Sequence, residues 1–314
     1  VKVAVLKGGK SLERSVSLRS GARVEDALAR LGHEALPLDA GSDLVERLIA
    51  EAPDVAFVAM HGRGGEDGTA QELLEILGLP FTGPGVAACA LCTDKALAKH
   101  AMQAAGVPTP SWFAFNQTAL GDLGAADALG ELEQRLGFPL VVKPSRGGSA
   151  LGVKFAADPA EVPAALVAAF SYDDRVLLER FVDGRELAVS VVGDEALPVV
   201  EAIPEGGDRY DFEARYEIGR TRFECPADLS DGERTAVVEA ALGAYRALGC
   251  AGFSRVDLIL DGEGPQVLEV NAIPGLTDTS LLPQAAEAAG LSFEDLVARI
   301  LELALGQPIA ETIT

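Results

Sequence analysis

Asp257, Glu269 and Asn271 are polar residues set into apolar runs, "SRVDLIL" at 254–260 and "QVLEVN" at 266–271. Glu269 and Asn271 stand two apart, so in an extended chain they face the same side. A carboxylate buried there without a partner is very costly. The runs are joined through "DGEGP", which predicts a hairpin, and pairing brings all three side chains to one face. Three oxygen ligands without Cys or His suit a hard cation such as Mg²⁺. Arg255 shares a side with Asp257, so an ordinary Arg255–Asp257 ion pair on a solvent face is the competing reading.

A second set lies in "VVKPSRGGSALGV" at 141–153. Lys143 ends an apolar strand, and Gly147, Gly148, Ser149 and Gly152 follow in a loop. Glycine loops expose backbone N–H groups, and a nearby lysine adds charge; together they hold phosphate. The alternative is a flexible hairpin tip. The loop is not a Walker A sequence, and the absence of GxGxxG weighs against a dinucleotide fold. In "LLERFVDGRELAV" at 177–189, Glu179 and Glu186 are seven apart at a strand–turn–strand hinge. Acids there can accept from a base amino group and a sugar hydroxyl; read without further context, solvated surface charge accounts for them better. "KGGKSLERS" at 7–15 and "MHGRGGEDGT" at 60–69 follow strands, where ligands of open α/β sheets bind. Glu13 and His61 are the candidates there, while His33 and His100 read as structural.

Composition limits the choices. The 314 residues suffice for two or three domains, and 48% apolar with 24% charged residues is ordinary for a globular chain. A net charge of −22 argues against nucleic acid or an anionic membrane as the main partner. Seven lysines against nineteen arginines make Lys95 and Lys143 informative. No signal peptide or membrane-length apolar run is evident. "CALC" at 89–92 lacks a second pair for a zinc ribbon, so reduced cysteines in a cytoplasmic protein are expected.

The elements that must position these groups follow from periodicity. Strands at 1–6 and 53–60, a helix at 15–31, a helix at 69–77 capped by Thr69, and a short strand "LPFTG" predict an open α/β domain with a parallel sheet. A helix at 93–106 starts at Thr93 or Asp94, and "VPTPSWF" reads as a linker. Strands at 139–144 and 175–182 around a helix near 159–170 make a small second unit. The last unit holds "ELAVSVVG", "ALPVVEAI", a polar loop at 204–222, a helix at 230–248, the hairpin and two closing helices, with 306–314 as a loose tail. The division is 1–92, 93–183 and 184–314.

These pieces in this order resemble the ATP-grasp superfamily and, more closely, the D-alanine–D-alanine ligase family. The segments that carry the likeness are "GGKSLERSVSL", "HGRGGEDGTAQE", "GLPFTGPG", "TDKALAK", "VVKPSRGGSALGV", "YDFEARY", "CPA", "RVDLIL" and "LEVNAIPGLTDTS". The resemblance implies an N-terminal open parallel sheet domain before an ATP-grasp pair of α+β domains. It implies ligation of two D-alanines through an acyl phosphate, for peptidoglycan precursors, by a cytoplasmic homodimer. It assigns Lys95, Lys143 and Arg215 to ATP phosphates, and Glu179 and Glu186 to adenine and ribose beside the backbone of Phe181 and Val182. Asp257, Glu269 and Asn271 would hold two Mg²⁺ ions, or Mn²⁺ in their place. Arg255 would stabilise the acyl phosphate and oxyanion. Glu13 would hold the first ammonium, with His61 near that substrate. Ser280 would bind the second carboxylate near Gly275 or Leu281, and Ser149 and Tyr216 would join Glu13 in closing a lid.

The chain departs from the family in places. Arg215 stands where a lysine is expected, Gly147 where an acid is usual, and Ala150 replaces a common serine. Asp278 and Thr279 lie in a variable part of the acceptor loop. Alternatives are another ATP-grasp carboxylate–amine ligase, with a different amino acid or a D-lactate acceptor, and a non-catalytic nucleotide-binding homologue. A degenerate copy should lose metal ligands or Arg255, and all are present.

Overall fold

The computed structural model describes residues 1–124, 129–148, 150–204 and 221–306. Ser149, Arg215 and Tyr216 therefore lie outside the described residues. The first sheet has β1 (Lys2–Lys7) between β2 (Glu34–Asp39) and β3 (Val55–Val58), all parallel. Val3, Ala4, Val5 and Leu6 are all wholly buried, as an apolar run covered on both faces requires. Helices α1 (Arg14–Arg30), α2 (Leu44–Glu51), α3 (Thr69–Ile76) and α4 (Val86–Thr93) complete this part.

The structure departs from the sequence expectation at three places. Thr69 does not cap α3: Gly68, at φ +97°, is the cap and Thr69 is the first helical residue. "LPFTG" forms a single bridge, Phe81 to Ala56, instead of a strand. "VPTPSWF" is only partly a linker, because Trp112 already begins β4 (Trp112–Asn116). By contrast, Asp94 does start α5 (Lys95–Ala104); its carboxylate accepts from the N–H groups of Ala96 and Leu97.

The second sheet is antiparallel in the order β4, β7 (Arg175–Arg180), β5 (Leu140–Pro144), β6 (Lys154–Ala156). Helices α6 (Gln117–Asp122) and α7 (Leu129–Leu136) lie between β4 and β5 in the chain. The sheet carries its own apolar core, in which Leu140, Val142, Val176 and Leu178 meet Val162, Leu166 and Ala169 of α8 (Val162–Phe170). The third sheet is also antiparallel. Its main path is β11 (Thr221–Glu224), β10 (Val200–Pro204), β8 (Arg185–Val192), β12 (Phe253–Asp261), β13 (Gly264–Asn271), and β9 (Glu195–Ala196) pairs with β8 off this path. Helix α9 (Asp231–Ala247) covers it and begins with a capping box between Ser230 and Glu233. Helices α10 (Leu281–Ala288) and α11 (Phe293–Gly306) close the chain.

The first and third sheets share one continuous core, running from Val5 and Phe57 through Met102 of α5 to Phe253, Ile273 and Ile300. At this junction two backbones touch. Gly252 has φ +71°, and a Cβ on it would sit 3.0 Å from Gly83 N and 3.1 Å from Gly83 Cα. Cys92 and Cys250 face each other nearby as free thiols, Sγ to Sγ 3.5 Å.

Gly252→Ala must therefore strain φ and press on a neighbouring backbone, for an expected loss of about 2–4 kcal/mol. Gly290 also has positive φ, +79°, but no atom would meet its Cβ within 4 Å. Gly290→Ala should cost only about 1 kcal/mol. Urea unfolding of both variants checks the contrast; equal losses would show that the junction is not tight.

Candidate functional site

Strand pairing builds the centre. β12 and β13 are register partners, with Asp257 opposite Glu269 and Arg255 opposite Asn271. All four are partly open while their neighbours Ser254, Val256, Leu258 and Val270 are buried, so the polar groups share one face. The Arg255–Asp257 pair weighed as the competing reading is formed: Nε and the second guanidinium nitrogen each donate at 2.7 Å to a separate carboxylate oxygen. Glu269 has its own cation, Lys95 Nζ at 3.0 Å from Oε2. Burial opposes charge on Glu269, but Lys95, Lys143 and Arg255 outweigh it and hold its carboxyl below the usual range. Asn271 Oδ1 accepts from the N–H of Ile273 at 3.0 Å, fixing the turn out of the strand.

Lys95 is delivered by the first turn of α5. Its N–H donates to Ser145 O at 2.8 Å, and its Nζ donates to Gly147 O at 2.7 Å. Asp94, 2% exposed, ties helix and loop together. It accepts from Ser145 Oγ at 2.7 Å and Arg146 Nε at 3.2 Å, with Arg175 3.5 Å away. Burial works against its ionisation, but these donors and the helix N–H groups prevail and lower its pKa. The glycine loop is thus anchored at its start. Gly147 takes φ +122°, a conformation a side chain would strain, which accounts for glycine at this position.

Glu179 is 2% exposed, so the surface-charge reading of this acid is wrong. Its Oε1 accepts from Lys143 Nζ at 2.8 Å, and its Oε2 lies 2.5 Å from Lys99 Nζ. Burial disfavours the carboxylate, yet Lys143 and Lys99 hold its pKa below the usual value. Lys95, Lys143, Glu179, Phe181, Val182, Glu186, Arg255, Asp257, Glu269 and Leu281 all line one cleft of about 320 Å³ between the second and third sheets. Apolar walls come from Val141, Phe155, Leu187 and Leu268. Backbone N–H of Phe181 is already given to Pro139 O at 3.3 Å.

The amino-terminal part closes the other end. Glu13 precedes α1, and an added Cβ on Gly62 or on Gly148 would lie 3.0 Å from its two carboxylate oxygens. Glu13 therefore stands between the loop after β3 and the glycine loop. His61, 4% exposed, bonds through Nδ1 to Ile273 O at 3.0 Å and through Nε2 to Ser20 Oγ at 2.9 Å. Ser20 Oγ also accepts from Leu276 N–H at 3.1 Å. Arg23 adds a bond to Leu276 O and an ion pair with Asp278. In the same turn, Ser280 Oγ accepts from Thr277 N–H at 3.1 Å and would clash with a Cβ on Gly275 at 2.7 Å.

The structure thus brings together Glu13, Lys95, Lys143, Glu179, Glu186, Arg255, Asp257 and Glu269, with Gly275 and Ser280 on the adjoining loop and His61 bonded to that loop from the segment after β3. Sequence reasoning missed Ser20, Asp94 as a clamp, and Lys99. Lys99 had a signal, since it follows Lys95 by four and so shares its helix face.

Comparisons with known proteins agree along the chain. The family model described as D-ala D-ala ligase N-terminus matches residues 40–84, and that described as D-ala D-ala ligase C-terminus matches 101–302. The D-alanine–D-alanine ligase of Geotalea uraniireducens is 46% identical over 304 residues, covering 96% of this chain and 95% of that protein. A crystal structure of the Bacillus anthracis D-alanine–D-alanine ligase superposes with a TM-score of 0.85 at 35% identity, covering 97% of each chain. A structure of that enzyme complexed with ATP gives 0.82 at 32% identity, again over 97% of each chain.

Ser20→Ala would strand a buried N–H of Leu276 and a ring nitrogen of His61. The expected loss is about 2 kcal/mol in urea unfolding, while Ser15→Ala, at an exposed position of the same helix, serves as the comparison. A Ser20→Ala variant as stable as the parent would show that this link carries no load.

Proposed function

The chain belongs to the D-alanine–D-alanine ligase family, and we propose that the cleft described above performs that ligation with the residues it gathers. The observation that carries the assignment is the convergence of Lys95, Lys143, Arg255, Asp257 and Glu269 on one cleft. Lysines and a glycine loop recognise a triphosphate, and the opposed hard-oxygen residues recognise a divalent cation.

In this reading ATP lies with its base near Glu179, Phe181 and Val182, its ribose at Glu186, and its phosphates toward Lys95 and Lys143. Asp257, Glu269 and Asn271 fit Mg²⁺ or Mn²⁺: their donors are all oxygen, and Lys95 and Arg255 already stand on the two carboxylates as substitute cations. Metal ions bound there would neutralise phosphate charge. Glu13 holds the ammonium of the first D-alanine, whose carboxylate oxygen attacks the γ-phosphorus as ADP leaves. A free carboxylate is a poor electrophile; the acyl phosphate gives its carbonyl a good leaving group. The second D-alanine, its carboxylate at Ser280 and its amine deprotonated, attacks that carbonyl. Arg255 faces the charge on the oxygen of the tetrahedral intermediate; that intermediate expels phosphate, which carries away the surplus amine proton, and leaves the dipeptide. Water exclusion is assigned, on the family resemblance, to Ser149, Arg215 and Tyr216, which lie outside the described residues.

His61 has both ring nitrogens engaged, so it acts by fixing the loop that carries Gly275, Ser280 and Leu281. A homodimer and a cytoplasmic location are carried by the family resemblance alone. Among the described residues no helix is long and apolar enough to cross a membrane.

Phosphate release should be fastest with D-alanine; faster turnover with D-lactate or an L-amino acid would overturn the substrate assignment but leave the ATP chemistry. Glu269→Gln should lower kcat by about 100-fold or more with an unchanged circular dichroism spectrum. Near-normal turnover of that variant at saturating Mg²⁺ would remove Glu269 from the metal site.

A further inference from the structure

Lys99 is wholly enclosed, and no step above uses it. Its Nζ donates to Thr109 Oγ1 at 2.5 Å, and that hydroxyl donates to Val267 O at 2.7 Å. The same Nζ is 2.5 Å from Glu179 Oε2, while Lys143 takes Oε1 at 2.8 Å. One carboxylate thus serves two ammonium groups, from α5 and from β5. The ionisable groups facing Lys99 are Glu179 on β7, Lys143 on β5 and, at longer range, Glu269 on β13.

This arrangement carries one charge too many for a structural pair. Lys143 alone would neutralise Glu179, and a methionine at position 99 would fill much the same space without a buried ammonium. Burial pushes Lys99 down to about 8, a cost that Glu179 offsets and Lys143 increases. A surplus buried cation is reasonable where an anion is to arrive. Of the two lysines, only Lys143 lines the cleft.

We propose that Lys99 is a positioning residue for the nucleotide: by holding one oxygen of Glu179, it leaves Lys143 only partly neutralised by that carboxylate, and the remaining charge is available to the ATP phosphates. The inference rests on the reading of Lys143 as a phosphate contact. It makes Glu179 a shared counter-ion whose second oxygen is reserved, and it gives the trio of Lys99, Glu179 and Lys143 a net single positive charge before ATP binds.

The test is calorimetric titration of the full-length protein in magnesium buffer with ATP, adenosine and inorganic tripolyphosphate. Lys99→Met should weaken ATP and tripolyphosphate by about tenfold while adenosine stays within about twofold. A loss shared equally by adenosine would mean packing only and would overturn the proposal, as would unchanged ATP affinity. Glu179→Gln provides a second reading that does not depend on Lys99→Met folding. It frees both ammonium groups, so tripolyphosphate should bind about fivefold more tightly than to the parent; equal or weaker binding would overturn the proposal. A parent protein that binds no ATP would overturn this inference together with the reading of the cleft, whereas ATP binding that is indifferent to Lys99→Met overturns this inference alone.

Discussion

Two carboxylates opposite each other on adjacent strands repel, and the structure is organised around satisfying that pair. The pleat of the β12–β13 hairpin sets Asp257 against Glu269, and like charges so placed destabilise a sheet. Arg255 answers one of them from two residues away on the same strand. The other needs a cation from elsewhere, and Lys95 provides it from α5. That requirement fixes where α5 begins, because Lys95 is its first residue and Asp94 its cap. Asp94 then has a second task in holding Ser145 and Arg146, so the charge balance of the hairpin extends into the neighbouring sheet.

The same economy recurs at Glu179. Its burial is tolerable only because two lysines reach it, one from each side of the junction between α5 and the second sheet. Glu179 and Glu269, with Lys95, Lys99 and Lys143, thus form a charged layer along one side of the cleft. The apolar walls beside them lower the local dielectric and strengthen the charge interactions within this layer.

Much of this was legible in the sequence, for reasons that can be stated. The hairpin declared itself because a strand has period two, and polar residues at positions 269 and 271 break an apolar run in phase. The partners of Glu179 did not, since Lys99 is eighty positions away and no local pattern joins them. Strand β2, "EALPLD", was missed because Pro37 argues against a strand; it is tolerated because β2 is the edge of its sheet. Helix α4, "VAACALCT", has no polar stripe to reveal a period. Its small side chains pack between the first sheet's helices and the third sheet, with Cys89 and Cys92 in the shared core. Helix α2 has a weak signature in the sequence because it is only 8 residues long, too few for a clear period.

The link from His61 and Ser20 to Ile273 and Leu276 joins chain segments more than two hundred positions apart. The first lies in the amino-terminal α/β unit, and the second forms the loop assigned to the acceptor amino acid. Recombination that exchanged the amino-terminal unit for that of a distant relative would therefore also rewrite the acceptor end. Substitutions in the two segments should show epistasis, and descent should keep them as a matched set even though neither is next to the other in the gene.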